Sequence, residues 1–293
     1  MLKAIKPEVI KEAKPKIMIS GESGAGKTIF SLNFPTPYFI DTEGGATRPQ
    51  YRKKLIDVGG AYFGKDQGSN TFRVVNDEIK ALATTKHDYK TVVIDSASYL
   101  YMMEAAQAEE NVGSDYGRDK KEANKPSRQL LRWIDKIGMN VIMICHAKQK
   151  WERKKNGQLE YGGSTFDFYD KAEFLLDLWI EIESKGDQRY FTVMKSRLDQ
   201  FPKGKSFPLD YSRFKSLYGE EIIDKESTPI KLATLDDVKK VKSLLEIVKI
   251  DPSEVEKWLN KAEADDWDEM NDEQIGKVIA FLEKKLYAVK EAA

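Results

Sequence analysis

Gly21-Glu22-Ser23-Gly24-Ala25-Gly26-Lys27-Thr28 fills every position of the pattern G-x-x-x-x-G-K-[ST]. It follows the apolar run Ile17-Met18-Ile19 and precedes a segment of helical character. The chemistry of such a loop is the holding of a polyphosphate. Glycines let successive backbone N–H groups turn toward the phosphates at the start of a helix, Lys27 would neutralise the β- and γ-phosphates, and the Thr28 hydroxyl would ligate Mg²⁺. A second element is Thr91-Val92-Val93-Ile94-Asp95-Ser96, an apolar strand ending in an acid that would hold the same Mg²⁺. A third is Tyr38-Phe39-Ile40-Asp41-Thr42-Glu43-Gly44-Gly45. There Glu43 could orient and deprotonate an attacking water, or be an ordinary solvated loop acid, while Asp41 reads as structural. ATP with magnesium is the expected ligand.

These groups need a frame that brings them to one edge. Strands are expected at Lys16–Ser20, Tyr38–Asp41, Thr91–Asp95 and Asn140–His146, with helices at Lys27–Asn33, Asn76–Ala83 and Pro126–Ile137. A closer pair at Phe174–Glu183 and Tyr190–Lys195, turning at Lys185-Gly186-Asp187, reads as a hairpin. The alternation predicts an α/β fold with a mainly parallel sheet, helices on both faces and the hairpin as its antiparallel edge. Residues 1–14 would be a lead segment, 15–218 the main domain, 219–233 a linker and 234–293 a small all-α domain. In that tail Thr234 with Asp237, Asp251-Pro252 and Asn271 with Gln274 are start signals for three amphipathic helices.

Composition narrows the classes. Hydrophobic residues make up 41% and charged residues 33%, and no apolar run is long enough to span a bilayer. The lysine-rich beginning lacks the apolar core of a secretory signal. Cys145 is the only cysteine, so no internal disulfide can form, and two histidines make a zinc site improbable. A cytoplasmic placement follows. Net charge is zero, yet residues 234–293 hold 15 acidic against 10 basic residues, leaving the rest with a matching basic excess. That excess permits nucleic-acid binding without demonstrating it.

In order and spacing the loop, Tyr38–Glu43, Val92–Ser96 and Val141–His146 resemble the RecA-like recombinase ATPases. The resemblance covers roughly residues 15–215 and is greatest to the phage-encoded nucleotide-binding, single-strand-annealing group. It implies a RecA-like P-loop NTPase core, with Glu43 as catalytic glutamate and Asp95 and Thr28 as magnesium ligands. His146 falls where a γ-phosphate sensor ends the next strand, in a position where recombinases commonly have Gln; the alternative is a satisfied core or surface histidine. Lys195 and Arg197, in Tyr190–Arg197, resemble the paired cations that reach a neighbouring subunit's γ-phosphate, unless they are an ordinary solvated pair. An ATPase acting as a homo-oligomer, ring or filament, is implied, in the cytoplasm of a bacterial host.

The resemblance also implies two DNA loops. One is about Gln107–Arg128, with Tyr116, Arg118, Lys120 and Lys121. The other is about Lys148–Tyr169, with Lys148, Lys150, Trp151, Arg153, Lys154, Lys155 and Tyr161, kept mobile by Gly157, Gly162 and Gly163. Cations interleaved with aromatics suit single-stranded DNA, although charge runs are usually solvated faces. The leading expectation is therefore a recombination or annealing protein whose ATP hydrolysis DNA stimulates. Its acidic tail would dock a single-strand-binding protein or another replication or recombination protein. The rival is a nucleotide-gated switch or loader working on a protein partner through that tail. A helicase stays open. A kinase lacks an arginine-rich lid, and a GTPase is supported only by an approximate N-K-x-D at Asn260–Glu263.

Overall fold

Every residue of β1 (Lys16–Gly21) is buried, as in a parallel strand flanked by strands and covered on both faces, and Ile17, Met18 and Ile19 are its apolar centre. The computed structural model describes residues 13–114, 117–154 and 157–291. After β1 come α1 (Lys27–Ser31), β2 (Pro37–Asp41), α2 (Pro49–Asp57), β3 (Ala61–Phe63) and α3 (Phe72–Thr84). Then follow β4 (Thr91–Asp95), α4 (Ala97–Val112), α5 (Arg118–Lys136) and β5 (Asn140–Ile144). The chain next forms a separate ribbon of β6 (Ala147–Arg153) and β7 (Leu159–Phe166), paired antiparallel. It returns through α6 (Ala172–Leu175) to β8 (Leu178–Lys185), β9 (Gln188–Ser196) and β10 (Ser206–Pro208), and ends this unit with α7 (Tyr211–Tyr218) and α8 (Glu220–Asp224).

The eight strands of the main sheet lie in the order β10-β9-β8-β1-β5-β4-β2-β3. From β8 to β3 all pairs are parallel, and β9 and β10 add an antiparallel edge. This is the architecture expected of a RecA-like core. Register matters more than order. Asp41 pairs with Asp95, Asp95 with Ile144, and Ile144 with Ile19, so β2, β4 and β5 end level at one carboxyl edge and β1 runs two residues further, to Gly21. Phe30, Phe34, Phe191, Phe201 and Phe214 fill the core beneath α1 in edge-to-face and tilted contacts.

Several expectations are corrected. Pro126, expected to start a helix, sits inside α5, which begins eight residues earlier at Arg118. Its first turns are held by packing: Ala123 is fully buried and the Tyr101 hydroxyl donates to Asn124 Oδ1 at 3.1 Å. Phe174 and Leu175, expected in a strand, form α6. Asn140–His146 stops as a strand at Ile144, and β6 begins at Ala147. Glu220–Asp224, expected within the linker, is a helix whose Ile223 is fully buried. Compact units divide at Thr228/Pro229.

The second unit, Pro229–Ala293, contains α9 (Leu235–Val248), α10 (Pro252–Ala262) and α11 (Asp272–Glu291). Thr234 Oγ1 accepts from the Asp237 N–H at 3.1 Å while Asp237 Oδ2 accepts from the Thr234 N–H at 3.0 Å, a reciprocal cap. Asn271 and Gln274 repeat that exchange at 2.8 and 3.0 Å. Val241, Leu244, Trp267, Met270, Ile275 and Leu282 bury against one another. Among the described residues no helix is long and apolar enough to cross a membrane.

Lys16 is an unusual way to begin a buried strand. Its Nζ donates to Ile137 O at 2.7 Å and Met139 O at 3.0 Å, closing the end of α5. Burial pushes its pKa down to about 7, against the pull of Asp177 and Asp135. A lowered folded pKa means the unfolded chain takes up the proton first as pH falls. Lys16 therefore contributes stability at high pH that is lost between its unfolded pKa and about 7. In urea titrations, wild type minus Lys16→Met stability should rise as pH increases from about 7 toward 10; a pH-independent difference would contradict this.

Candidate active site

Three loops leaving the level edge enclose a cavity of about 480 Å³. Its walls include Gly21, Glu22, Ser23, Gly24, Gly26, Lys27, Thr28, Asp41, Glu43, Asp95 and His146. The phosphate-loop sequence, Glu43, Asp95 and His146 thus meet in one place. The loop's glycines have steric reasons. A Cβ on Gly21 would lie 2.4 Å from Ile182 O of β8, and Gly26 has φ +108 beside the Arg189 side chain. Ala25 fits because its methyl group is buried in the core beneath the loop.

Lys27 Nζ arches back over the loop and donates to Gly21 O and Glu22 O, both at 2.8 Å. Burial lowers its pKa, opposed by Asp95 and Glu43. Thr28 Oγ1 donates to Asp95 Oδ2 at 2.7 Å. Asp95 is pushed up to about 6, first by burial and then by Glu43 and Asp41, with the Thr28 bond and Lys27 opposing. A buried carboxylate beside a hydroxyl, with a lysine nearby, is a donor set that a hydrated divalent cation fits. Such an ion takes one or two protein oxygens and completes its shell with water and phosphate. No cluster of three His, Cys, Asp or Glu among the described residues forms an all-protein metal cage.

Glu43 is held from two sides. His146 Nε2 donates to its Oε1 at 2.8 Å, and Ser96 Oγ donates to the same oxygen. Ser96 is itself fixed: its N–H donates to Thr42 Oγ1 at 2.8 Å, and Thr42 Oγ1 donates to Ser96 O at 3.0 Å. Asp41 organises the turn that carries Glu43. Its carboxylate accepts from the N–H groups of Gly44, Gly45 and Ala46 at 2.7, 3.1 and 2.9 Å, and from the Tyr62 hydroxyl at 2.9 Å. The Arg52 guanidinium lies over the Tyr62 ring, 3.5 Å from its centre. His146 is anchored by its N–H to Ser98 Oγ at 2.9 Å. Thr42, Tyr62 and Ser98 were not foreseen. Only folding reveals them, because each acts on a residue from another strand.

Lys195 and Arg197 do not line this cavity. Lys195 Nζ donates to Leu176 O, and Arg197 donates to Phe174 O and, at 3.3 Å, to Leu175 O, so both close the carbonyl end of α6. They do reach in one direction, as their spacing required. Both expected DNA loops are corrected. Gln107–Arg128 is mostly α4 and α5, and Arg118, Lys120 and Lys121 are exposed on the first turns of α5. Lys148–Tyr169 is mostly the β6–β7 ribbon, with Gly162 and Gly163 inside β7. Alternating residues that pair across two strands give order where glycines suggested mobility. On it Lys148 pairs with Asp167 at 3.0 Å, Lys150 with Glu152 at 2.6 Å, and Lys154 with Glu160. Trp151 and Tyr161 are exposed neighbours, with ring centres 6.2 Å apart. Tyr116 and Lys155 lie outside the described residues.

Asp41→Ala would strip four donors of their acceptor in a mostly buried turn. A loss of about 2–3 kcal/mol is expected in urea unfolding, together with a lower kcat than KM accounts for, since Glu43 loses its support. Wild-type kcat in this variant would contradict the positioning role.

No curated protein matches the chain. Among solved structures, the RadB recombinase is similar with 18% identity and a TM-score of 0.43, over 67% of this chain and 87% of that one. Residues 13–200, well over half of the chain, match the family described as AAA domain. With a complete phosphate loop at the level edge of its sheet, the chain belongs to that P-loop ATPase family and is built to bind a nucleotide.

Proposed function

We propose that the protein is an ATP-hydrolysing, magnesium-dependent recombination or annealing ATPase that works on single-stranded DNA as a homo-oligomer. The observation carrying this reading is the joint geometry of one cavity: Thr28 Oγ1 on Asp95 at 2.7 Å, and Glu43 under His146 at 2.8 Å. Magnesium, held by Thr28 and Asp95, would supply charge neutralisation across the phosphates. The loop N–H groups of Gly21–Thr28 and Lys27 would bind the β- and γ-phosphates. Glu43 would orient a water for attack on the γ-phosphorus and take its proton as the bond to the β–γ bridging oxygen breaks.

His146 gives this arrangement its sensitivity to the nucleotide. While His146 and Ser96 both donate to Glu43 Oε1, the carboxylate is positioned but that oxygen is occupied. A γ-phosphate that draws the imidazole N–H to itself would free Glu43 Oε1 for the attacking water only when triphosphate is present. Because His146 immediately precedes β6, its movement would be felt by the ribbon bearing Lys148, Lys150, Trp151, Arg153 and Lys154. The exposed Trp151 and Tyr161 rings offer stacking surface, and exposed ion pairs exchange readily for phosphate. Lys195 and Arg197 sit apart from their own chain's cavity, which supports their reaching the site of a neighbouring subunit. The pairing of three ribbon lysines with carboxylates favours a second reading, in which the ATP cycle controls a protein partner.

Glu43→Gln should bind ATP normally and lose about 10²–10⁴-fold in turnover; unchanged turnover would remove Glu43 as the base. Mixing Arg197→Ala with Lys27→Ala protein should restore part of the activity that each lacks, because one intact interface can form. No recovery at any ratio would contradict the shared site. Single-stranded DNA should raise phosphate release, and no response to it would favour the protein-partner reading.

A further inference from the structure

The last helix of the second unit carries more apolar surface than its own core uses. Ile275, Ile279 and Leu282 of α11 are buried in that core. Val278 and Phe281 lie about a quarter turn around the helix from them, and Phe281 is 39% exposed. Between this second stripe and α10 runs a cleft of about 390 Å³. Its floor is Met270 and Ala262, both buried, and its apolar walls are Trp258, Val278 and Phe281. The Trp258 and Phe281 rings meet edge to face with centres 5.3 Å apart, so the wall is built from fixed side chains rather than loose ones.

The charge around this cleft is the reverse of its surroundings. Residues 234–293 hold 15 acidic against 10 basic residues, yet the charged residues in the lining are both lysines, Lys261 from α10 and Lys277 from α11. Among the described residues Lys261 has no carboxylate in ion-pair range. Lys277 pairs with Glu273 one turn earlier, but both side chains are 74% exposed, so that pair exchanges at little cost. Lys285 adds a third cation, with its Nζ 5.1 Å from the centre of the Phe281 ring.

An apolar floor between two cations asks for an apolar anchor with a carboxylate on either side of it. A fatty acid or other single-headed amphiphile answers one lysine and leaves the other helix unpaired. A nucleic-acid strand offers phosphates but no aliphatic or aromatic side chain, and its length would run on over an acid-rich surface. A peptide with acids flanking one apolar side chain satisfies the floor and both walls, in the manner of segments that lay an anchor into a groove between helices.

We propose that the α10–α11 cleft docks an acidic segment of a partner protein, seating one aromatic or branched aliphatic side chain on Met270 and Ala262 beside the Trp258–Phe281 pair, with flanking carboxylates on Lys261 and Lys277. The assignment stands apart from the nucleotide reading, because every residue in it belongs to the second unit.

Fluorescence anisotropy of a labelled peptide titrated with the full chain tests it. The probe is one phenylalanine with two aspartates on each side, capped at both ends. Wild type should bind it about tenfold more tightly than the same peptide with serine for phenylalanine, and more tightly again than one with lysines for the aspartates. Phe281→Ala should weaken the aspartate peptide about tenfold. Lys261→Glu combined with Lys277→Glu should reverse the preference toward the lysine peptide, a gain that a merely unfolded variant would not show. Equal binding of the aspartate and lysine peptides by wild type, or binding of neither, would overturn the proposal. So would laurate binding that displaces the peptide and outlasts the double charge reversal, or a dimer that Phe281→Ala dissociates and the peptide does not.

Discussion

Everything at the site depends on strand register. Asp41, Asp95, Ile144 and Ile19 are consecutive partners across four parallel strands; the segments that line the cavity leave β2, β4 and β5 directly after these positions and β1 two residues later, at Gly21. A slip of one residue on β2 or β4 would turn its acid toward the opposite face, and on any of the four strands would move the following loop by about 3.3 Å. The apolar runs Ile17–Ile19, Val92–Ile94 and Val141–Ile144 are buried on both faces of the sheet, so the packing that fills the core also holds the strand ends in place. Core packing and active-site alignment are therefore one constraint.

The edge so formed is electrostatically incomplete. Asp95 is buried and raised to about 6, Asp41 and Glu43 add negative charge nearby, and Lys27 is spent on the carbonyls of its own loop. Polyphosphate with a divalent cation would answer both deficits: Asp95 and Thr28 would hold the cation, and the phosphates would draw Lys27 off the backbone. Ligand binding should thus stabilise the fold as well as occupy it. Glu43 shows the same economy. The Ser96 and His146 donors that hold it in place share one of its oxygens, Oε1.

The phosphate loop was legible because its function is local: eight consecutive residues carry the pattern and its context. Asp95 and Glu43 were legible as acids at the ends of apolar runs, and the three tail helices through their caps. What escaped depends on contacts between distant segments. Pro126 argued for a helix start, yet burial of Ala123 carried α5 past it in the N-terminal direction. Gly162 and Gly163 argued for a mobile loop, yet cross-strand pairing with β6 made them part of a ribbon. Asp41 was read as structural from its place in a turn, but its four donors, one from Tyr62, appear only once β3 pairs beside β2. Lys195 and Arg197 were read as a pair sharing a direction; their anchorage on α6 carbonyls was invisible because α6 itself read as strand.

The central claim is that one chain carries a hydrolytic site completed by assembly on single-stranded DNA. Phosphate release per chain, measured over a hundredfold range of protein concentration with and without single-stranded DNA, tests it most directly. The account predicts a specific activity that climbs with concentration and reaches its plateau at much lower concentration when DNA is present. A specific activity that is constant across the range and indifferent to DNA would contradict it.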